Sequence, residues 1–206
     1  MDNYNRVTLC GQVMSLPALS HINHGVSFYK FSLRVARLSG QSDDLNIIVS
    51  RAQLGEAAIT PGDTVTVEGQ LRSFNTRSGQ GSRLVISVFA RKLIPGGDAP
   101  RNEILLSGII CKPPMLRRTP LGREICDVIL AVNRHYGRAD YLPCIAWGAV
   151  AIQVAGMYTG QRLTVAGRVQ SRTYNKSENG IQTEHTAYEV SIMHPAEPEE
   201  LTVDAP

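Results

Sequence analysis

Between Tyr141 and Tyr174 the chain carries aromatic rings and guanidinium groups at spacings that would gather them on one surface. The segment opens Tyr141-Leu-Pro-Cys-Ile-Ala-Trp147-Gly148. After a run of small residues it continues Gly160-Gln-Arg-Leu-Thr-Val-Ala-Gly167-Arg-Val-Gln-Ser-Arg-Thr-Tyr174. Alternate side chains of an extended strand point to the same side, so Tyr141 and Trp147 share a face. Arg162, Arg168, Gln170, Arg172 and Tyr174 share one parity on the later strand in the same way. Taken singly, each has an ordinary reading: a tryptophan suits a core, a strand tyrosine is commonplace, and barrel arginines are often solvated. Rings set between guanidinium groups on one sheet face are a poor core. They are what a surface needs to stack unpaired bases and neutralise phosphates.

Chemistry of other kinds finds no foothold. There is no carboxylate pair, His/Cys cluster or nucleophile elbow, so the chain is expected not to be an enzyme and to have no catalytic residues. Gly79-Gln80-Gly81 lacks the strand-to-helix context of a phosphate-binding loop. Cys10, Cys111, Cys126 and Cys144 form no Cys-x-x-Cys pair and sit in apolar runs, as reduced cysteines do when used as small core residues. His21 and His24 fall in an expected loop without thiolate or acidic neighbours in sequence. No metal and no cofactor are expected.

The elements that would position these groups come as two copies of one pattern. Asn5-Arg-Val-Thr-Leu-Cys-Gly11 returns as Asn102-Glu-Ile-Leu-Leu-Ser-Gly108. Gly62-Asp-Thr-Val-Thr-Val-Glu-Gly69-Gln-Leu-Arg-Ser73 returns as Gly160 to Ser171. A period of roughly a hundred residues makes each copy a domain rather than a solenoid unit. Alternation and β-branched content predict five strands per copy, near 5–14, 28–37, 45–51, 63–74 and 83–93, then 103–112, 125–134, 141–147, 161–173 and 185–193. A short helix falls between strands three and four of each copy, at 52–58 and 149–155. Polar tips are expected at 75–81, 133–140 and 175–180. Gly11, Gly69, Gly108 and Gly167 interrupt strands and mark bends or close backbone approaches of the kind a small barrel needs. The fold class expected is all-β, with two tandem five-stranded oligonucleotide/oligosaccharide-binding (OB) barrels. The first barrel spans 1–94, a Pro/Gly linker 95–101, the second barrel 102–195 and an acidic tail 196–206.

Composition agrees with a globular protein that meets a polyanion. Of 206 residues, 43% are hydrophobic and 19% charged, and the formal net charge is +3. Residues 1–195 hold all 21 Lys/Arg and 14 of the 18 Asp/Glu, which is +7; Glu197, Glu199, Glu200 and Asp204 leave the tail at −4. No apolar run approaches a membrane span, and the start of the chain lacks a signal-peptide core, so a cytoplasmic, nucleoid-associated location is expected.

The second copy closely resembles the bacterial single-stranded DNA-binding protein family. The resemblance rests on Leu130-Ala-Val-Asn-Arg134, on Tyr141-(x)5-Trp147-Gly148 and on Gly160-(x)6-Gly167-Arg-Val-Gln-Ser-Arg-Thr-Tyr174, and it covers residues 102 to about 193. It implies that Tyr136, Tyr141, Trp147 and Tyr174 stack on bases. Arg134, Arg138, Arg168, Arg172 and Lys176 are then expected to follow the phosphate backbone. The first copy matches more weakly. Its equivalents of the four rings are about Gly40, Asp44, Ser50 and Thr76, so its aromatic platform reads as degenerate. Phe74 stands in on the same strand face, and Arg37, Arg51, Arg72 and Arg77 remain as phosphate contacts. Four barrels per particle are usual in the family, which implies a homodimer here. Family members usually end in an acidic tip closed by Phe that recruits replication and repair proteins. Here the chain reads Leu-Thr-Val-Asp-Ala-Pro, acidic but without the Phe. Three further readings stay open at this point: a primosomal replication-restart protein on a similar barrel, an OB-fold protein-interaction scaffold without DNA binding, and an RNA binder.

Overall fold

The computed structural model describes residues 4–78, 81–134, 137–178 and 181–196. The first copy contributes β1 (Asn5–Val13), β2 (Ala18–Asn23), β3 (Val26–Ala36), β4 (Ser42–Ser50), α1 (Arg51–Ala57), β5 (Thr64–Ser78) and β6 (Gly81–Pro95). The second contributes β7 (Arg101–Ile110), β8 (Met115–Arg118), β9 (Glu124–Asn133), β10 (Ala139–Trp147), α2 (Ala149–Ala155), β11 (Arg162–Glu178) and β12 (Ile181–Pro195). Each set closes on itself. β1 pairs β5 and the end of β3, β3 pairs β4, β4 runs parallel to β6, and β6 returns to β5. The second copy repeats the circuit with β7, β9, β10, β12 and β11. This is the five-stranded barrel with a helix between its third and fourth strands.

Two features lay outside the sequence reading. β2 and β8 occupy stretches expected to be connections. β1 meets β3 at Gln12↔Arg34 and Val13↔Leu33, and β2 resumes the same antiparallel run at Ala18↔Lys30. The first strand is therefore one strand broken at Leu16-Pro17, where proline offers no amide to the ladder. The same break occurs at Pro113-Pro114, between β7 and β8. Every residue of β2 and β8 is exposed, so neither carries the alternation that reveals a strand. The second feature is length. Residues 75–78 and 175–178, read as tips, extend the pairing to Ser78↔Gly81 and Glu178↔Ile181.

Leu9, Leu33, Leu45, Ile47 and Leu71 fill one barrel; Leu106, Ile110, Leu130 and Leu142 fill the other. Burying each such side chain is worth about 1.5–3 kcal/mol. The cysteines join these cores rather than any site: Cys10, Cys126 and Cys144 are buried, and burial pushes the Cys126 and Cys144 thiols up. Among the described residues no helix is long and apolar enough to cross a membrane.

The barrels join edge to edge. β1 pairs antiparallel with β7 from Asn5↔Leu106 to Cys10↔Arg101, which makes twelve strands one sheet from β2 to β8. Val7 and Ile104, equivalent residues of the repeat, face each other, so a local two-fold axis passes between them. The repeated asparagines act alike. Asn5 Nδ2 donates to the Leu71 carbonyl at 2.8 Å and its Oδ1 accepts from the Leu71 amide at 2.8 Å. Asn102 does the same to Val169 at 2.7 and 2.9 Å.

Gly69 and Gly167 show why glycine interrupts strand four. Both sit at a register shift in their hairpins, and a Cβ there would strike the backbone oxygen of Phe89 or Ser191. The obstacle is backbone, which cannot swing aside. Gly167→Ala is expected to cost about 1–3 kcal/mol, seen as a lowered thermal midpoint; an unchanged midpoint would show that the bulge tolerates a side chain.

Candidate nucleic-acid interface

Alternation in the strands sets which groups face outward. In β10 the even-numbered residues from Asp140 to Ala146 are buried, and Tyr141 and Trp147 stand out from the other side, 54% and 38% exposed. In β11 Leu163, Val165 and Val169 point inward, while Arg168, Arg172 and Tyr174 take the outer side, with Tyr174 40% exposed. Trp147 ends β10. Gly148, at φ 58°, turns the chain from it into α2 and donates its amide to the Glu124 carbonyl at 2.9 Å.

A groove of about 1220 Å³ runs over this face. Trp147, Ile145, Ser191, Arg168 and Arg172 belong to its walls, Arg117 and Arg123 reach it from around β8, and Arg37 reaches it from the first copy. Of the five arginines at the groove, Arg37 is held by the buried Asp43 and Arg117 pairs with Asp127, so Arg123, Arg168 and Arg172 set its cationic character. Glu189 is buried and accepts from Gln170 Nε2 at 2.7 Å, so it is turned to its neighbour. The Arg172 guanidinium lies 5.5 Å from the Tyr174 ring centre, and Tyr174 stacks with His185 at 5.7 Å. Among the described residues Arg168 Nε is buried without a hydrogen-bond partner. A donor in that state has already been desolvated.

The groove is held in shape by two buried carboxylates that cross between the barrels. Asp140, fully buried, takes Arg134 in a bidentate pair, with Nε at 2.7 Å, and Arg72 Nη1 at 3.1 Å. Its Oδ1 accepts the Ser73 amide at 2.6 Å, across the barrel boundary. Ser73 Oγ in turn accepts the Tyr141 amide at 2.9 Å. Asp43 mirrors this. Arg37 donates to it at 2.6 and 2.5 Å, and the Ser171 amide of the other barrel donates at 2.8 Å. The bond to Asp43 also pushes the Arg37 guanidinium up, holding its charge. Each Asp thus fixes the strand on which the other barrel's outer-face residues sit: Ser73 precedes Phe74, and Ser171 precedes Arg172 and Tyr174.

The placement of the expected site residues follows. Trp147, Arg168 and Arg172 line one groove, with Tyr174 against Arg172 and Tyr141 farther along the same strand face. Arg138 is exposed on the turn after Arg134, whose amide bonds the Arg138 carbonyl at 2.7 Å. Phe74 is exposed at 42% on β5. Arg72 and Arg134, expected on a phosphate path, are engaged by Asp140 instead, because a fully buried carboxylate needs their charge. Tyr136 lies outside the described residues, as do the side chains of Arg77 and Lys176 and the tail from 197. The sequence reading missed Arg117, Arg123 and both clamp aspartates. The aspartates did leave a trace: Arg37…Asp43 recurs as Arg134…Asp140, and Ser73 and Ser171 close the repeated block.

A closed barrel of this topology with rings and guanidinium groups on one wall defines an OB-fold protein with an oligonucleotide-type face. Comparison with known proteins agrees. Residues 101–194 match the Single-strand binding protein family. Single-stranded DNA-binding protein B of Bacillus subtilis is 36% identical over 113 residues, which is 50% of this chain and 98% of that protein. Single-stranded DNA-binding protein 2 of Listeria monocytogenes is 35% identical over 103 residues, 46% of this chain and 64% of that protein. The wild-type single-stranded DNA binding protein from Thermus aquaticus has the same fold along the whole chain, with a TM-score of 0.75 at 22% identity, covering 100% of this chain and 96% of that one. The chain belongs to the single-strand binding protein family.

Removing one member of a buried charge cluster strands the others. Asp140→Ala is expected to lower the unfolding free energy by about 3–5 kcal/mol in a urea titration. Asp140→Asn, which keeps an acceptor for the Ser73 amide, should lose less. An unshifted midpoint in the alanine variant would mean that the crossing does not hold the barrels.

Proposed function

We propose that the chain binds single-stranded DNA with little sequence preference, in DNA replication, recombination or repair on the cytoplasmic nucleoid. The observation that carries this reading is the cationic groove in which Trp147 stands among Arg123, Arg168 and Arg172. Rings accept any unpaired base because every base has a flat face; a duplex hides those faces. Trp147, Tyr141 and Tyr174 form the stacking platform, and Tyr136 joins it by its place in the family motif. Arg168 and Arg172 take phosphates within the groove, and Arg138, Arg77 and Lys176 continue the path along the turn and the long hairpins. Relatives named as single-stranded DNA-binding proteins support the choice of ligand.

Trp147 is the sole tryptophan, so its emission reports the site directly. Titration with oligo-dT should quench it to a defined end point. Trp147→Ala and Tyr174→Ala should each weaken binding by about 1–3 kcal/mol, followed by anisotropy of a labelled oligonucleotide. Arg168→Ala should flatten the slope of log affinity against log salt by about 0.7. Unchanged affinity in both ring variants would remove the platform from the account.

The chain works as a homodimer with four barrels, the count implied by the family resemblance. Light scattering should return twice the chain mass; a monomer mass at binding concentrations would overturn this.

A further inference from the structure

The first copy reads as stripped of rings when the four family positions are carried over one by one. The strand ladders give a different result. Trp147 faces Ile125 across β10 and β9. The equivalent rung of the first copy is Ser50 facing Phe28, each 97 positions earlier (147 and 50, 125 and 28). The ring is present on that rung, on the opposite strand. The next strand shows the same exchange. Ile145 pairs Ser191 in parallel, and its counterpart Ile48 pairs Phe89. On the outermost strand Arg117 faces Ile125, and His21 faces Phe28. The four second-copy residues Arg117, Ile125, Trp147 and Ser191 all line the groove. Their counterparts His21, Phe28, Ser50 and Phe89 hold the same places on the first barrel.

These side chains form a continuous aromatic row. His21 stacks on Phe28 with ring centres 4.9 Å apart and planes 13° apart, and Phe28 meets Phe89 at 5.3 Å. Phe28 and Phe89 are half-buried, and neither belongs to the apolar core that Phe31, Leu33 and Val88 fill from the inner face of the same strands. Ser50 is committed elsewhere, capping α1 through a capping box with Gln53, which accounts for the missing ring at that position. Lys30, exposed two residues along β3 from Phe28, adds a charge on the same side. Arg134, anchored on the Ser73 carbonyl at 2.9 Å, brings the turn bearing Arg138 to the first barrel, as Asp43 brings the turn of Gln41 to the second.

We propose that the first barrel carries a second base-stacking site for unpaired oligonucleotide, built from Phe28, Phe89 and His21 rather than from the family's ring positions. Each barrel then holds a length of the strand on its own rings. The proposal rests on the reading of the second barrel as a single-strand binder, and the experiment separates the two. Unmodified full-length chain is irradiated with bromodeoxyuridine-substituted oligo-dT, and the cross-linked residues are located by mass spectrometry. Adducts at Phe28, Phe89 or His21, alongside adducts in the second barrel, are expected. Adducts confined to the second barrel would overturn the proposal and leave the reading of that barrel intact. No adducts and no Trp147 quenching would bring down both. In parallel, Phe28→Leu with Phe89→Leu keeps apolar bulk and removes the rings. It should leave Trp147 quenching by a short oligo-dT unchanged and weaken binding of a long one by roughly tenfold. A folded double variant that binds the long oligonucleotide as tightly as wild type would show that the row only shields the barrel wall.

Discussion

Two carboxylates buried in the wrong barrel's company set the geometry on which the rest depends. Stripping water from Asp43 and Asp140 carries a cost of several kcal/mol each. The structure meets it with a bidentate arginine from the same copy and a backbone amide from the other. A strand ladder alone aligns two barrels along one line, here β1 against β7. The Asp140–Ser73 and Asp43–Ser171 crossings add two further points away from that line. Contacts away from the ladder resist hinging about it, so the outer faces of β5 and β11 are held relative to β10 and β4. Asp140 and Asp43 each accept a backbone amide across the boundary, and Arg72 adds a side-chain bond to Asp140.

The local two-fold symmetry is close in the scaffold and broken on the surface. Val7 faces Ile104, Asn5 and Asn102 grip the same place on strand four, and both aspartates cross in the same way. Arg72, however, serves Asp140, while Gln170 at the matching position bonds Glu189. Asp140 therefore has two arginines and Asp43 one. Such asymmetry is what two copies in one chain permit and two identical subunits do not: each face is free to change while the frame is kept.

The parts of this arrangement that were legible in the sequence are those governed by local periodicity. The parity of β10 and β11 put Tyr141 with Trp147, and Arg168 with Arg172 and Tyr174, on outward faces, and burial agrees. The repeat, the helices and the strand-four glycines were equally local. What stayed hidden depended on partners far away in sequence. Arg72 and Arg134 look like any exposed arginine until Asp140 is brought to them from another strand, 68 residues from Arg72. β2 and β8 are exposed on every residue, so no alternation announces them. The rings of the first barrel escaped for a related reason. Their positions are equivalent to groove residues only through the ladder register, and alignment to single motif positions passes over a ring that has moved to the neighbouring strand.

The division among the arginines has a consequence for how stability and binding respond to the medium. Arg37, Arg72 and Arg134 are 18–27% exposed and pair with carboxylates that are not exposed at all. Salt screens such pairs little, because the ions cannot enter the space between them. Arg123 and Arg172 are exposed at the groove, so a phosphate there would be met at the protein surface, where counterions compete and screening is strong. The frame is thereby insulated from the ionic strength to which the groove responds. On the proposed function, salt would release a strand without loosening the barrels, and ring stacking, which releases no counterions, would set the affinity that remains.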